Sequence, residues 1–391
     1  MKKTNLLIAS LLGIIGLMAY FMTFPTINDD KMVDVEVEAG DKKLLEDVYF
    51  SGELYDYSSF YTINDETFTY ESLSYLERLD TPMSTNLMLL QEQYPDFMNS
   101  VLYSGSYDYT ILNSQKYVIS TEFDYEDGSY MKDSRHLNMK LLDKESGKVE
   151  EEKINRDNAP EGDWHNVLSI YEDYPMVQVV FHTESWTDVG SNSTLSFGEY
   201  NIETKNYTEN SLIKEDNSNF YISNNYSQVD TSQKIRLLST YNEQLGIEQI
   251  NYLLDMEDGT LHTIENKDRL YFVSDDSKLY ALEKEEDQSF LRQYDYTGAE
   301  LLSEVELDAE LDLNGAYNPY ILELRDNKLF IVENQFNESM EQINLKPTLL
   351  AIYDSQTGAE LLSGSIDYNI SNEVPGVVEG SISQFGYSSD F

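Results

Sequence analysis

Thr297-Gly298-Ala299-Glu300-Leu301-Leu302-Ser303 recurs unchanged as Thr357-Gly358-Ala359-Glu360-Leu361-Leu362-Ser363, sixty residues further along the chain. Each copy follows an alternating apolar run that ends in Tyr-Asp, Leu291 to Asp295 in one case and Leu349 to Asp354 in the other. Alternation of this kind sends successive side chains to opposite faces of a strand. An identical heptapeptide in the same local setting marks a repeated unit built from strands.

Other segments share the form. Residues 137–149, 197–207 and 250–261 each read as an alternating strand, an acidic or Asn turn, and a second strand. The turn positions fall at Gly147, Lys205, Gly259, Gly298 and Gly358, in steps of 58, 54, 39 and 60 residues. Gly supplies the positive φ that such hairpins require, and Asp or Asn opens the turn. A further strand signal precedes each turn, in residues 116–123, 176–181, 234–238, 269–273 and 328–332, and a first unit starts near Val48. The pattern predicts an all-β chain, a β-propeller of six to seven four-stranded blades. Pairing of residues 370–391 with the first strands would close the ring and remove its open sheet edges. Residues 84–101 depart from the pattern. Ser84 or Thr85 can cap a helix over Asn86 to Gln93 that Pro95 limits, so a helical insertion is expected there, with an ordinary long loop as the alternative.

The 391 residues carry 72 Asp and Glu against 26 Lys and Arg, a net charge of −46. Such a surface repels phosphate backbones and anionic lipid head groups, which excludes nucleic acid as a partner. High net charge can keep a chain unfolded. Here 40% hydrophobic residues, with 31 Tyr and 16 Phe, oppose that outcome, since Tyr and Phe suit half-buried strand surfaces. With no cysteine, the chain has no disulfide, no thiolate metal site, no Cys nucleophile and no acylated Cys anchor.

Lys2 and Lys3 precede an uncharged stretch whose apolar centre runs from Leu6 to Phe24. About 20 helical residues cross a bilayer core. No small-x-small cleavage site stands near its exit, and Tyr20, Phe21 and Phe24 suit an interfacial aromatic belt. The expectation is an uncleaved signal anchor, with a cleaved leader or a buried helix as alternatives. The lysines before the span place residues 1–4 in the cytoplasm as a tip, 5–24 in the membrane and the bulk outside. Residues 25–44 read as an acidic stalk and 45–391 as the propeller.

Leu349-Leu-Ala-Ile-Tyr-Asp-Ser-Gln-Thr-Gly-Ala-Glu-Leu-Leu362 resembles the repeat of the pyrroloquinoline-quinone-type, WD-like β-propellers, and Lys278-Leu-Tyr-Ala-Leu282 resembles its first half. The resemblance is clearest over residues 265–365 and implies a propeller. That family holds quinone dehydrogenases and also cofactor-free envelope scaffolds. Leu302 and Leu362 stand where its repeat ends in a docking Trp, so the resemblance implies a propeller without the quinone.

Motifs for chemistry are sparse. His136, His165, His182 and His262 sit on separate units without metal-ligand spacing. Two acidic turns, Asp124/Glu126/Asp127 and Asp255/Glu257/Asp258, are candidates for Ca²⁺, although both lack the twelve-residue loop with its terminal Glu. No other metal or cofactor is expected. No Gly-x-Ser-x-Gly element marks a nucleophile, and among 72 acids a carboxylate pair at glycosidase spacing carries no information. Trp164, His165 and Trp186 lie in expected inter-strand loops and are the candidate partner-binding residues. Catalytic residues are not assigned. The reading is a membrane-tethered extracytoplasmic binding or scaffold module that engages an envelope protein, peptide or glycan. Its alternatives are a carbohydrate-active enzyme with carboxylates at the propeller axis, and a ligand sensor reporting to a membrane partner.

Overall fold

A computed structural model describes residues 33–46, 48–54, 59–63, 68–72, 85–102, 109–125, 132–160, 162, 164–187, 190–216, 218–222, 229–230, 233–242, 247–264, 269–274, 278–286, 288–295, 300–309, 311, 320–334, 347–368 and 380–387. The anchor read at 5–24 and Gly298 lie outside these residues. Among the described residues no helix is long and apolar enough to cross a membrane.

Strands follow one another along the chain, as the alternating pattern requires. First come β1 (Val33–Gly40), β2 (Val48–Leu54), β3 (Ser59–Ile63) and β4 (Phe68–Ser72). Two helices then interrupt the strands, α1 (Thr85–Gln93) and α2 (Pro95–Leu102), where the helical insertion was expected. Pro95 does more than stop the first helix. It opens the second, since a first-turn position needs no backbone N–H.

The next sheets are β5 (Tyr109–Asn113), β6 (Tyr117–Tyr125), β7 (Lys132–Asp143) and β8 (Val149–Asn155), then β9 (Trp164–Asp173), β10 (Met176–Thr187), β11 (Gly190–Asn201) and β12 (Tyr207–Asp216). They are followed by β13 (Ser218–Ile222), β14 (Val229–Asp230), β15 (Ile235–Asn242), β16 (Ile247–Asp255) and β17 (Leu261–Thr263). The last are β18 (Arg269–Val273), β19 (Leu279–Glu285), β20 (Gln288–Tyr294), β21 (Leu301–Leu307), β22 (Tyr320–Arg325), β23 (Lys328–Glu333), β24 (Thr348–Asp354), β25 (Glu360–Tyr368) and β26 (Gly380–Tyr387).

These strands form six sheets of four or five strands among the described residues. In chain order the sheets are β26-β2-β3-β4, β14-β5-β6-β7-β8, β12-β11-β10-β9, β13-β15-β16-β17, β18-β19-β20-β21 and β1-β25-β24-β23-β22. Neighbours are antiparallel throughout the first five sheets and between β1 and β25, except that β14 adds to β5 in parallel. The first sheet joins the ends of the chain: β26 pairs with β2, Glu53 opposite Ser381.

The chain divides into two compact units, residues 1–85, 332–350 and 362–391 in one, and 86–331 with 351–361 in the other. Within the second unit, successive sheets bury their apolar faces against each other. Ile119, Leu137, Met139, Val167, Val179 and Phe181 join the second and third sheets. Val180, Leu195, Phe197, Phe220, Leu238 and Leu254 join the third and fourth. Leu237, Leu253, Tyr271 and Ala281 join the fourth and fifth, and Phe272, Leu282, Leu291, Leu329 and Ile331 join the fifth to β22 and β23. Each fully buried side chain of this kind contributes about 1.5–3 kcal/mol.

One ion pair lies inside this stack. Arg156, just after β8, places Nε 2.9 Å and Nη2 2.6 Å from the two oxygens of Glu209 on β12. Both side chains are buried, the guanidinium lies 3.9 Å from the Phe181 ring centroid, and Tyr207 donates to Glu209 at 2.7 Å. Burial, then the Glu209 charge, pushes the Tyr207 phenol far above its ordinary value and keeps it a donor.

The repeat turns have one design. Asp143, Asn201, Asp255 and Asp354 each accept a turn amide on the side-chain oxygen, at 2.7 to 3.0 Å. Four residues later Gly147, Lys205, Gly259 and Gly358 donate back to the same residue's carbonyl, at 2.8 to 2.9 Å, with φ of 69°, 59°, 72° and 74°. Two of these glycines also sit against the preceding sheet. A β-carbon on Gly259 would fall 2.7 Å from the Phe197 ring, and one on Gly358 would fall 1.7 Å from the Glu306 carbonyl oxygen.

The twin heptapeptides have unlike fates. Leu301 and Leu302 are 46% and 53% exposed on β21, an edge strand, whereas Leu362 on β25 is fully buried. The difference is β1, which pairs along β25 with Gly40 opposite Leu362 and Val37 opposite Gly364. β1 lies within the stretch read as an acidic stalk, so the sheets begin by residue 33 and not at 45. Its Val-Asp-Val-Glu-Val-Glu alternation is a strand pattern that the acids obscured. Val35 is buried while Glu36 and Glu38 face solvent, as an edge strand under protection from further pairing should.

Candidate functional site

The start of β9, the end of β10 and the start of β11 meet at one end of the third sheet. Trp164 stands opposite Glu184, which stands opposite Ser193; His165 stands opposite Thr183, which stands opposite Thr194; Trp186 stands opposite Ser191. By strand alternation Trp164, His182, Glu184 and Trp186 share one face, and His165, Thr183 and Ser185 the other.

On the first face Trp164 meets His182 edge-on at 5.5 Å between centroids, and Phe220 meets its other side at 5.9 Å. His182 Nε2 is 3.1 Å from Ser193 Oγ, and Ser193 donates to Asn219 Oδ1 at 3.4 Å. With the hydroxyl proton directed to Asn219, Nε2 must be the donor to Ser193. Burial, and secondarily the electrostatic influence of the neighbouring His165 ring, lowers the His182 pKa to about 4, so the ring is neutral at pH 7. A Ser–His contact at this distance has the geometry of a nucleophile and its base. Ser193 is 0% exposed, however, and its proton points to Asn219, so the pair ties β10, β11 and β13 together.

On the second face His165 is wholly buried. Its Nε2 is 3.2 Å from the Gly162 carbonyl and its Nδ1 is 2.9 Å from Thr183 Oγ1. A carbonyl can only accept, so Nε2 carries the proton and Nδ1 accepts from the threonine. This bond draws the chain before β9 onto β10. A β-carbon on Gly162 would fall 2.4 Å from Thr183 Cγ2 and 2.9 Å from the Glu184 carbonyl, so only glycine fits.

The pinned segment carries Pro160 to the rim of an open cavity of about 730 Å³, lined also by Ser185, Thr194, Ser211, Leu212, Ile213 and Lys214. In a regular strand the four consecutive residues of β12 would alternate between faces. Here β12 is bulged: Leu195 pairs with Ile213, Ser196 pairs with Ser211, and Leu212 is the extra residue, so Ser211 and Lys214 fall on the Thr194 face while Leu212 and Ile213 turn to the core shared by the third and fourth sheets. A bulge bends its strand and re-aims side chains in this way.

Of the sequence candidates, Trp164 and His165 come together here as buried or half-buried structural members, and Trp186 is 55% exposed on the same hairpin. Trp164 and Trp186 belong to strands and not to loops, since β9 begins at Trp164 and β10 runs to Thr187. His136 and His262 lie apart, on β7 and β17. Asp255 and Asp258 cap their own turn: Asp255 Oδ1 accepts from Glu257 N and Asp258 Oδ1 from Thr260 N, both at 2.8 Å. Lys234 lies 3.7 Å from the other Asp255 oxygen and pairs with Glu257. The Asp124 side chain, Glu126 and Asp127 lie outside the described residues. Among the described residues no three His, Asp or Glu side chains are placed to hold a metal ion. Sequence reasoning missed Thr183, Ser193 and the β12 bulge; a bulge leaves the alternation of Leu212 and Ile213 looking like a plain apolar pair.

No family model and no curated protein matches the chain. Among solved structures it is similar to a variant of Synechocystis apocarotenoid oxygenase, with 10% identity over 68% of this chain and 58% of that one and a TM-score of 0.29. The cobalt-substituted form of that enzyme gives 9% identity, 86% and 60% coverage and a TM-score of 0.27. Pyrococcus horikoshii acylaminoacyl peptidase gives 14% identity, 86% and 53% coverage and a TM-score of 0.37. The chain thus spans about three fifths or less of the length of these structures. At these TM-scores the likenesses bear on neither the topology nor the chemistry of this chain.

Proposed function

We propose that this chain is a β-propeller binding module, held at the outer face of a membrane by residues 5–24 and engaging an envelope partner through the loop end of its third sheet. The observation that carries the reading is the build of that end. Its histidines are locked into internal hydrogen bonds, while Trp186 and the 730 Å³ cavity face outward. Buried groups spent on positioning, beside an exposed indole and a concave polar surface, suit recognition better than turnover.

The ring is part of the proposal. Repeated turns, face-to-face packing of successive sheets in one unit and pairing of β2 with β26 support it. The tether is supported by the uncharged run from Leu6 to Phe24 behind Lys2 and Lys3.

Two measurements test this. Full-length protein is expected in the membrane fraction and protein lacking residues 1–28 in the soluble fraction; equal partitioning would remove the tether. A photo-crosslinking residue at position 186 is expected to give a discrete adduct on intact cells, and one at position 145, on a repeat turn, none. Equal labelling from both positions would remove the binding face.

A further inference from the structure

We infer that the cavity between Pro160 and the bulged strand β12 is a subsite for a neutral, hydroxyl-rich ring, such as one pyranose unit of a glycan. The inference deepens the binding-module reading and rests on it.

The lining dictates the ligand class. Ser185, Thr194 and Ser211 supply three hydroxyls, each able to donate and accept, and Lys214 supplies an ammonium with three donors. Among the described residues Lys214 has no ion-pair partner, although the chain carries a net charge of −46. Pro160 adds an apolar edge, while Leu212 and Ile213 border the cavity from the strand and turn their side chains to the core behind it. A ligand that meets all of these offers several hydroxyls at its rim and a C–H face. A saturated sugar ring has that form.

Competing ligands fit less well. One ammonium within so acidic a protein gives a weak site for phosphate or polycarboxylate. A flat aromatic molecule would offer no hydrogen-bond partner to the Thr194 and Ser211 hydroxyls or the Lys214 ammonium. An extended peptide is recognised by strand addition, and β12 is an edge strand, but its bulge at Leu212 interrupts the ladder in the middle of the cavity. The bulge also brings Ser211 and Lys214 to the same face as Thr194, which an unbulged strand would not do, and turns Leu212 and Ile213 to the other face.

The cavity wall is prepared in advance. Gly162 packs against Thr183, and His165 holds the Gly162 carbonyl, two residues from Pro160 on the cavity rim. His165 and Gly162 act here as positioning residues.

The test uses full-length protein in detergent. Short neutral oligosaccharides of glucose and of N-acetylglucosamine are titrated by calorimetry, against oligogalacturonate as the anionic counterpart and an unstructured peptide. Binding by a neutral series is expected. Lys214→Met and Thr194→Val should each weaken it about tenfold, the loss of one hydrogen bond, with unchanged thermal unfolding. His165→Gln, which keeps a donor but not the ring geometry, should weaken sugar binding while Trp186 crosslinking persists. No binding of either neutral series, equal binding by the two variants, or tighter binding of the uronate or the peptide would overturn the inference. An intact position-186 adduct in Lys214→Met cells would then show that the binding-module reading survives without the sugar subsite.

Discussion

Gly364 of β25 lies so close to Glu36 of β1 that a β-carbon on the glycine would fall 2.2 Å from the Glu36 carbonyl oxygen. The residue at the matching place in the other repeat is Glu304. The glycine leaves room for a fifth strand against β25, whereas β21, with Glu304 at that place, is an edge strand on which Leu301 and Leu302 are exposed. Gly364→Glu should expel β1. Hydrogen exchange at residues 33–40 should rise to the level of an unpaired segment, with a stability loss of about 1–3 kcal/mol. Unchanged protection of β1 would contradict the account.

The repeat turns make a graded series. Gly147 has φ of +69° and open space where a β-carbon would stand, so Gly147→Ala should cost only the strain of that backbone, about 1 kcal/mol. Gly259→Ala meets the Phe197 ring and should cost more, and Gly358→Ala meets backbone at 1.7 Å and should cost most. Lys205→Gly, at φ of +59°, should be neutral or stabilising. Urea unfolding of the four variants gives the order, and equal losses for all three alanines would refute close packing of the turns.

Much of this was legible beforehand. The Asp-to-Gly spacing of the turns announced the hairpins, and Ser84 to Gln93 offered one helix or a long loop, while the second helix, opened by Pro95, was not read. What was not legible depended on partners distant in the chain. The acids of Val33 to Glu38 disguised a strand whose partner, β25, lies more than three hundred residues away. The identical heptapeptides gave no hint of their different burial, because that depends on β1, which pairs with β25 and has no counterpart beside β21 among the described residues. His182 and Ser193 meet only after β10 and β11 pair, and Ser211 and Lys214 share a face only because Leu212 is out of register.

The Arg156–Glu209 pair should behave as a unit. Arg156→Met alone leaves a buried carboxylate without its counter-charge and should cost about 3–5 kcal/mol. Arg156→Met with Glu209→Leu removes both charges and should recover most of that, short of the hydrogen bond that Tyr207 loses. A double variant as unstable as the sum of the two single ones would mean the two groups do not interact.

Acid should weaken the fold through His182. Its pKa, about 4 when folded, lies below the ordinary value of 6.5, so the unfolded chain takes up the proton first. The stability tied to neutral His182 is complete above pH 6.5 and falls between pH 6.5 and 4, by about 3 kcal/mol in all. His182→Gln should flatten that segment of the profile. The same slope in both proteins would show that the histidine is not buried as described.

The central claim is that these sheets stand as blades around one axis. A density map of the full-length protein in detergent tests it directly. The account predicts six or seven radial sheets, successive in chain order, with β2 and β26 side by side in one of them. Two separate sheet sandwiches with no common axis would contradict it.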